Sequence, residues 1–529
     1  MITIKVLVMD GVSEEGLIPL RQNPQIEVVI GSKMTEDELA GVISDYEGLI
    51  VRSATKVTAK ILENATRLII VGRAGVGVDN IDLEAATRKG VLVVNAPEGN
   101  TIAATEHSIA MMLAMARSIP QAAGKMREGV WEKKGFMGVE LRGKVLGVIG
   151  LGRIGSAVTS RAQALEMTVL AYDPFITEEK AQSMAVELVS LEEVFKRADF
   201  ITVHMPKTKE TYHLLNKEAF DQMKQGVRII NCARGGIVDE AALYQAMVEG
   251  KVAGAALDVF ETEPTTDSPL ITLPNFIATP HLGASTEEAQ LNVAVDVSEE
   301  IVAALTGKVV KNTVNIPSIS PQILAAVRPY LTLSEKLGRF ITFLIAGRAK
   351  KVEVICSGDF SKEEVSHIVT ASLKGLLDPI LQETVNYVNA AHLAKNRGIQ
   401  ILQSVDDADE GYSNLITIKV ITDKGENTIS GTLFGNNDPR IVDVDGYRID
   451  VVPTNSMFYV PHQDKPRVIG AVCTILGTHD INIATMSVGR KEVGGTAIML
   501  MSVDGEVPAE TLQGIAGVAG VNDVKLITL

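Results

Sequence analysis

Between Lys144 and Asp173 the chain reads KVLGVIGLGRIGSAVTSRAQALEMTVLAYD, and no other stretch restricts the fold as tightly. Val145 to Ile149 form a short apolar run of the kind buried in a parallel sheet. Gly150, Gly152 and Gly155 follow in G-x-G-x-x-G spacing and open a helical stretch, after which Thr168 to Tyr172 form a second β-like run ending on Asp173. This order predicts a dinucleotide-binding unit. Gly150 permits the tight turn, Gly152 lets the backbone approach a pyrophosphate, and Gly155 lets the helix pack on the strand. Unpaired N–H groups at the helix start then face two phosphates with a favourable dipole. Asp173 stands where a carboxylate accepts hydrogen bonds from ribose hydroxyls and repels a 2′-phosphate, which predicts NAD rather than NADP. A second glycine-rich segment, GRAGVGVDNID from Gly72 to Asp82, also follows an apolar run. No strand and acid come after it at the right distance, so it reads as a tight loop near a ligand.

At 529 residues the chain has room for several domains. A net charge of −15 argues against nucleic acid or an anionic membrane as the main partner. No apolar run approaches the ~20 residues needed to span a bilayer, and the N-terminal residues lead straight into an apolar alternation without a secretory pattern. Cys232, Cys356 and Cys473 are too scattered for a disulfide framework or a metal motif. The expectation is a cytoplasmic protein without a metal.

Strand-like and helix-like segments alternate twice. IKVLVMD, IEVVI, YEGLIVR, LIIVGRA and VLVVNAP make one α/β set; the dinucleotide unit continues through FITVHMP, VRIINCAR, AALDVF and FIATPH. A long amphipathic helix from Thr286 to Leu305 and a strand-like Lys311–Asn315 follow. The expected architecture is α/β: a Rossmann-type cofactor domain over 99–284 inserted in a flavodoxin-like substrate domain made of 1–98 and 285–317. Residues 318–453 read as an α+β intervening domain with a linker at Ser318–Pro321, a long helix to Arg348 and a hairpin at Asp445–Gly446. Residues 454–529 show βαββαβ order, a ferredoxin-like domain.

Arg234, Glu263 and His281 each fall just after a predicted strand of the cofactor domain, where open α/β sheets place their ligands. An imidazole suits taking or returning a hydroxyl proton near neutrality. A carboxylate beside it fixes the tautomer, and an arginine grips a carboxylate in two places and polarises a carbonyl. Hydride transfer between a 2-hydroxy acid and nicotinamide needs these three roles. Taken singly, the histidine is better explained as a capped strand end and the glutamate as a solvated charge, and the arginine can be read as bonded to loop carbonyls; the trio in one cofactor fold reverses that judgement.

GLGRIG, NCARGGIVDE, ALDVFETEP and TPHLGAST together resemble the D-isomer-specific 2-hydroxyacid dehydrogenases, and VRSAT, GRAGVGVDNID and WEKKGFMG point to the long-form members with intervening and ACT domains. The resemblance spans the chain. It implies Arg234, Glu263 and His281 as catalytic residues. It implies NAD contacts from Gly150, Gly152, Arg153, Ile154, Gly155, Asp173, Pro206, Cys232, Ala233, Arg234, Asp258, Gly283 and Ala284. Substrate contacts are implied at Arg52, Ser53, Arg73, Gly75, Val76 and Gly77. The implied reaction oxidises 3-phosphoglycerate to 3-phosphohydroxypyruvate, the first step of L-serine synthesis. In the ACT domain, HQDKPRVIG and DINIA imply contacts to an L-serine effector from His462, Asp464 and Asn482. One departure is Arg467, where many such loops carry glycine because the backbone approaches the ligand.

A homodimer or homotetramer is also implied, with Trp131, the only tryptophan, near a subunit contact and Lys133 or Lys134 reaching a neighbour. Arg440 and Arg448 are candidates for a second anion site in the intervening domain, although solvated strand-edge charges explain them as well. Two alternatives stay open at this level: a hydroxypyruvate or glycerate reductase of the same family, and a non-catalytic dinucleotide-sensing relative of corepressor type.

Overall fold

Five short apolar runs ahead of residue 96 build the first sheet, and their alternation explains why it has helices on both faces. The computed structural model describes residues 3–317, 321–407, 411–435 and 437–529, and only the backbone of 321 and 322. Strands β1 (Ile4–Val8), β2 (Ile26–Ile30), β3 (Gly48–Val51), β4 (Ile70–Arg73) and β5 (Leu92–Asn95) are parallel in the order β2-β1-β3-β4-β5. Leu7, Leu49, Val71 and Val93 bury toward one face, whereas Val6, Ile50, Ile70 and Val94 bury toward the other with Val293, Val297 and Ile301. Those last three belong to the returning helix Glu287–Leu305, capped by the Thr286 side chain. It packs so closely that a Cβ on Gly72 would stand 2.4 Å from Val297. Lys311–Asn315 is not a strand: one bridge, Val94 to Thr313, is all that forms. The Asn315 side chain supplies the other contacts, accepting from Val93 N and donating to Val91 O.

The second sheet has β6 (Val145–Ile149), β7 (Thr168–Tyr172), β8 (Glu187–Leu188), β9 (Phe200–Val203), β10 (Val227–Asn231), β11 (Val252–Leu257) and β12 (Phe276–Ala278). All pairs are parallel, and the order β12-β11-β10-β9-β6-β7-β8 reverses direction between β6 and β9. Ligands bind at such a switch point, outside the carboxyl ends of the strands. This is a Rossmann-type sheet beside a flavodoxin-like one.

A six-stranded sheet follows: β13 (Ala349–Gly358), β14 (Gln400–Asp406), β15 (Asn414–Thr422), β16 (Glu426–Phe434), β17 (Asp438–Val444) and β18 (Tyr447–Val451), ordered β14-β13-β15-β16-β17-β18. Its hairpin turns at Asp445–Gly446, both at positive φ. Helices Pro321–Leu344 and Lys362–Leu377 cross in backbone contact, since a Cβ on Gly338 would lie 2.1 Å from Ser372 O and one on Gly375 2.0 Å from Glu335 O. The first of these helices stops at Leu344 rather than Arg348, because Gly347 turns left-handed (φ +83) and Ala349 already begins β13. The expected linker Ser318–Pro321 lies mostly outside the described residues.

The last sheet contains β19 (Ser456–Gln463), β20 (Ile483–Arg490), β21 (Thr496–Val503) and β22 (Lys525–Thr528) in the ferredoxin-like order β20-β21-β19-β22. Met457, Tyr459, Leu500 and Ile527 on one face share a core with Leu333, Leu337 and Phe340 of the long helix. Among the described residues no helix is long and apolar enough to cross a membrane.

Candidate active site

The carboxyl ends of the first two sheets face a cleft of about 850 Å³. Arg234 follows β10, Asp258 and Glu263 follow β11, and His281 follows β12, so parallel strand order alone brings three distant sequence segments to one lip. His281 Nδ1 lies 2.7 Å from Glu263 Oε2. Glu263 Oε1 accepts from the Phe260 amide at 2.9 Å. Burial alone would raise the Glu263 carboxyl, but the His281 and Phe260 hydrogen bonds outweigh it and hold it below the usual range. An ionised carboxylate only accepts, so Nδ1 carries the proton and Nε2 presents a lone pair. The same hydrogen bond raises the His281 pKa against the opposing effect of burial.

His281 sits at φ +56, a left-handed conformation that costs on the order of 1 kcal/mol without glycine. Buried Asp258 holds it there. Its backbone oxygen accepts from His281 N at 2.9 Å. Its carboxylate takes Thr279 Oγ1 at 2.6 Å, Leu282 N at 2.7 Å and Gly283 N at 2.8 Å. His107 stands 3.2 Å from the same carboxylate and 3.1 Å from Thr279 Oγ1. Asp258 was implied by the family resemblance alone; His107 and Thr279 carried no signal, being ordinary residues of a helix and a strand end.

Arg234 donates through Nε to Asp79 at 3.0 Å and through Nη1 to Ala233 O at 2.7 Å. Asn231 fixes the turn beneath it, accepting from Ala233 N and donating to Arg234 O, both at 2.9 Å. On the opposite lip Arg52, Ser53, Arg73, Gly75, Val76 and Gly77 all line the cleft, joined by Lys56; Lys207, after β9, lines it from the cofactor side, and neither lysine carried a sequence signal. The Arg73 side chain lies across Gly75 (φ +149), where a Cβ would fall 1.4 Å from Nη1. Its Nε is buried without a partner, and among the described residues no carboxylate pairs with it. Burial, followed by the neighbouring Arg234 and Arg52 charges, brings its pKa down to about 10. A cation in that state calls for an anion.

The cofactor candidates line the second sheet's switch point. Gly150 takes φ +95, and a Cβ there would lie 2.6 Å from His204 O; one on Gly155 would lie 2.0 Å from Gly150 O, so only glycine lets the helix pack this close. Nothing of the protein lies within 4 Å of where a Gly152 Cβ would be, which leaves room for phosphates before the helix Arg153–Ala164. Asp173 accepts from Leu151 N and Phe175 N, each at 2.8 Å through a different oxygen, and each oxygen keeps a lone pair for a ribose hydroxyl. Pro206 and the Cys232–Ala233 turn follow β9 and β10, and Gly283 and Ala284 follow β12. Burial pushes the Cys232 thiol up to about 12, so it is inert. These residues fit an NAD molecule.

The effector candidates are dispersed. His462 is buried, with Nδ1 3.1 Å from Val460 O. Asp464 takes Arg490 at 3.0 Å and the Gly494 amide at 3.2 Å. Asn482 donates to Asp504 at 2.7 Å. Strand register aligns His462 with Ala497 and Ala497 with Arg490, whereas Asn482 precedes Ile483 at the Val503 end of the sheet. One chain does not bring Asn482 to His462. In the intervening domain, Arg440 is spoken for by Asp438 and Asp450.

Residues 109–283 match the NAD-binding domain model of the D-isomer-specific 2-hydroxyacid dehydrogenases. Residues 326–445 match the D-3-phosphoglycerate dehydrogenase intervening domain, and residues 460–518 the ACT domain. The chain is 47% identical over 527 residues to a D-3-phosphoglycerate dehydrogenase of Methanocaldococcus jannaschii, covering 99% of this chain and 100% of that one. It is 47% identical over 526 residues to the enzyme of that name from Bacillus subtilis, covering 99% of each. Among solved structures, D-lactate dehydrogenase of Aquifex aeolicus, complexed with NAD and lactic acid, aligns with TM-score 0.50 and 31% identity over 57% of this chain and 96% of that one. The apo D-lactate dehydrogenase of Escherichia coli gives 0.53 and 29% over 59% and 100%.

Proposed function

This chain belongs to the D-3-phosphoglycerate dehydrogenases of the D-isomer-specific 2-hydroxyacid dehydrogenase family, and from that premise we infer that it oxidises 3-phospho-D-glycerate to 3-phosphohydroxypyruvate in the cytoplasm. The observation that carries the substrate assignment is Arg73, a largely buried guanidinium with no salt-bridge partner among the described residues, in a cleft that also holds Arg52, Lys56 and Arg234. A substrate with an anion at each end satisfies both banks of cations. Lactate, with one anion, leaves Arg73 uncompensated.

NAD, when bound at the second sheet, supplies the hydride acceptor. His281 Nε2 takes the C2 hydroxyl proton, and Glu263 stabilises the imidazolium that results. Arg234 grips the C1 carboxylate and steadies the oxygen that becomes a carbonyl. Phosphate binding remote from C2 at Arg52 and Arg73 orients the reacting carbon, so the dephosphorylated acid reacts poorly.

The chain assembles as a homodimer or homotetramer. Ile119, Met126, Trp131 and Met137 are exposed by 54%, 54%, 76% and 90%, four large apolar side chains bare within one stretch of sequence, which supports a subunit contact there. Lys133 stacks 6.0 Å from the Trp131 ring within that region, positioned with Lys134 to reach a neighbour. L-serine acts as effector at the ACT domain, where a second copy supplies the Asn482 that one chain keeps from His462 and Asp464.

The test is NAD reduction by the purified protein with 3-phosphoglycerate, glycerate, malate and lactate, each with and without serine. A preference of about a hundredfold or more for the phosphorylated acid is expected from one extra charge-assisted anion site. Equal rates with glycerate would assign the chain to the reductase branch, and no turnover with any acid would leave a dinucleotide sensor.

A further inference from the structure

The ion pair between Arg234 and Asp79 joins the two lobes across the cleft that both residues line. Arg234 belongs to the cofactor sheet and Asp79 to the loop after β4 of the other sheet, and Nε meets Oδ2 at 3.0 Å. The side chains are 28% and 68% exposed, so as a stabilising contact the pair ranks with ordinary surface salt bridges. Its geometry does more than its energy. Asp79 takes Nε, the donor farthest from the end of the side chain, and Ala233 O takes Nη1, which leaves Nη2 to point past Gly77. A Cβ on Gly77 would lie 1.9 Å from that nitrogen, so the guanidinium lies flat on this loop. The neighbouring Asn80 ties the same loop to the other anion-binding segment, donating to Arg52 O at 2.7 Å and Thr55 O at 2.6 Å.

We propose that Asp79 is a positioning residue for Arg234. It fixes the guanidinium by its inner nitrogen so that Nη2 faces the substrate carboxylate, and it does so only while the lobes stand this close. Through Asn80 it sets that orientation relative to Arg52, so both anionic ends of the substrate are read against one rigid loop. The proposal rests on the assignment of Arg234 to the substrate carboxylate.

Asp79→Asn and Asp79→Glu, each measured beside the wild type, test it. In Asp79→Asn, kcat/KM for 3-phosphoglycerate falls about ten- to a hundredfold with a raised KM, while the Kd of NAD and the Tm stay at wild-type values; Asp79→Glu recovers part of the loss. In the unliganded proteins, Asp79→Asn speeds amide hydrogen exchange in both 74–80 and 232–236. Unchanged or tighter substrate binding in an active Asp79→Asn enzyme overturns the proposal, the latter showing that Asp79 merely competes with substrate. Faster exchange confined to 74–80 overturns it too. A wild type inactive on every hydroxy acid removes the assigned reaction instead, and the exchange data still decide whether Asp79 restrains Arg234.

Discussion

The catalytic cleft and the ACT sheet make opposite use of residues scattered along the sequence. In the cleft, Arg234, Glu263 and His281 meet within one chain because parallel strands all end on the same side, whatever their order in sequence. In the antiparallel ACT sheet, loops leave from both ends, so His462 and Asp464 lie at one end and Asn482 at the other. A parallel sheet builds a site for a monomer; an antiparallel one lends itself to a site shared between copies. The polar groups differ in the same way. Arg73 in the cleft waits for an anion, whereas Asp464 and Asn482 already have Arg490 and Asp504.

The most damaging change to the cleft is His281→Ala. Without the base, kcat falls about 10²–10⁴-fold, and the Kd of NAD by fluorescence titration stays close to wild type because all the cofactor candidates but Gly283 and Ala284 lie on other loops. Near-normal turnover would remove the imidazole from the reaction and dissolve the contrast with the ACT sheet. Glu263→Gln sharpens the point through pH. Oxidation needs neutral His281, so kcat/KM rises as pH climbs through its raised pKa; the Glu263 carboxylate is the chief cause of that raising. With glutamine there, the pKa drops and the acid limb of the profile moves to lower pH, while kcat falls about a hundredfold as imidazolium loses its partner. A profile that does not move would mean that another group titrates.

Arg73→Met removes a largely buried cation that has no salt-bridge partner among the described residues and keeps a side chain of similar length. KM for 3-phosphoglycerate is expected to rise about ten- to a hundredfold, the worth of one charge-assisted bond. Tm is expected to hold or rise, since a buried charge without a partner costs stability. A lowered Tm with unchanged KM would make Arg73 structural and leave the cleft, like the ACT sheet, without an open demand for a ligand.

Much of this was legible because two signals are local: glycine spacing between Val145 and Asp173, and βαββαβ order after residue 454. Arg234, Glu263 and His281 were found by the rule that such sheets act at strand ends. What escaped depends on contacts between distant segments. Nothing near Asp79 announces Arg234, 155 residues away. Asn386 donates to Gly90 O at 2.8 Å, docking the intervening domain on the first sheet, across a separation of 296 residues. The parallel pairing of β14 with β13 is equally silent, because it is made by a crossover through two helices. Lys311–Asn315 has the alternation of a strand yet lies where asparagine side chains replace the ladder.

On the ACT side, Asn482→Ala tests the shared site with no catalytic residue touched. Serine inhibition weakens about tenfold, the value of one lost hydrogen bond to a charged group, and uninhibited kcat stays put. An intact response would place the effector within one chain and erase the difference between the two regions.

The smallest effect is expected at Arg467, which caps the helix Val468–Thr478 in a left-handed conformation at φ +80. Arginine is strained there by about 1–2 kcal/mol, while glycine forfeits about 0.5–1 kcal/mol of chain entropy. Arg467→Gly therefore changes ACT stability by about 1 kcal/mol or less, a shift of a degree or two in Tm at most for a chain of this size. Its effect on serine is the more telling one. With the long side chain gone, the loop backbone beside His462 and Asp464 opens, and serine inhibits at lower concentration. Equal sensitivity in the two proteins would show that the loop never approaches the ligand, and the positive φ would then answer only to the packing of Val468 and Val472 against the sheet.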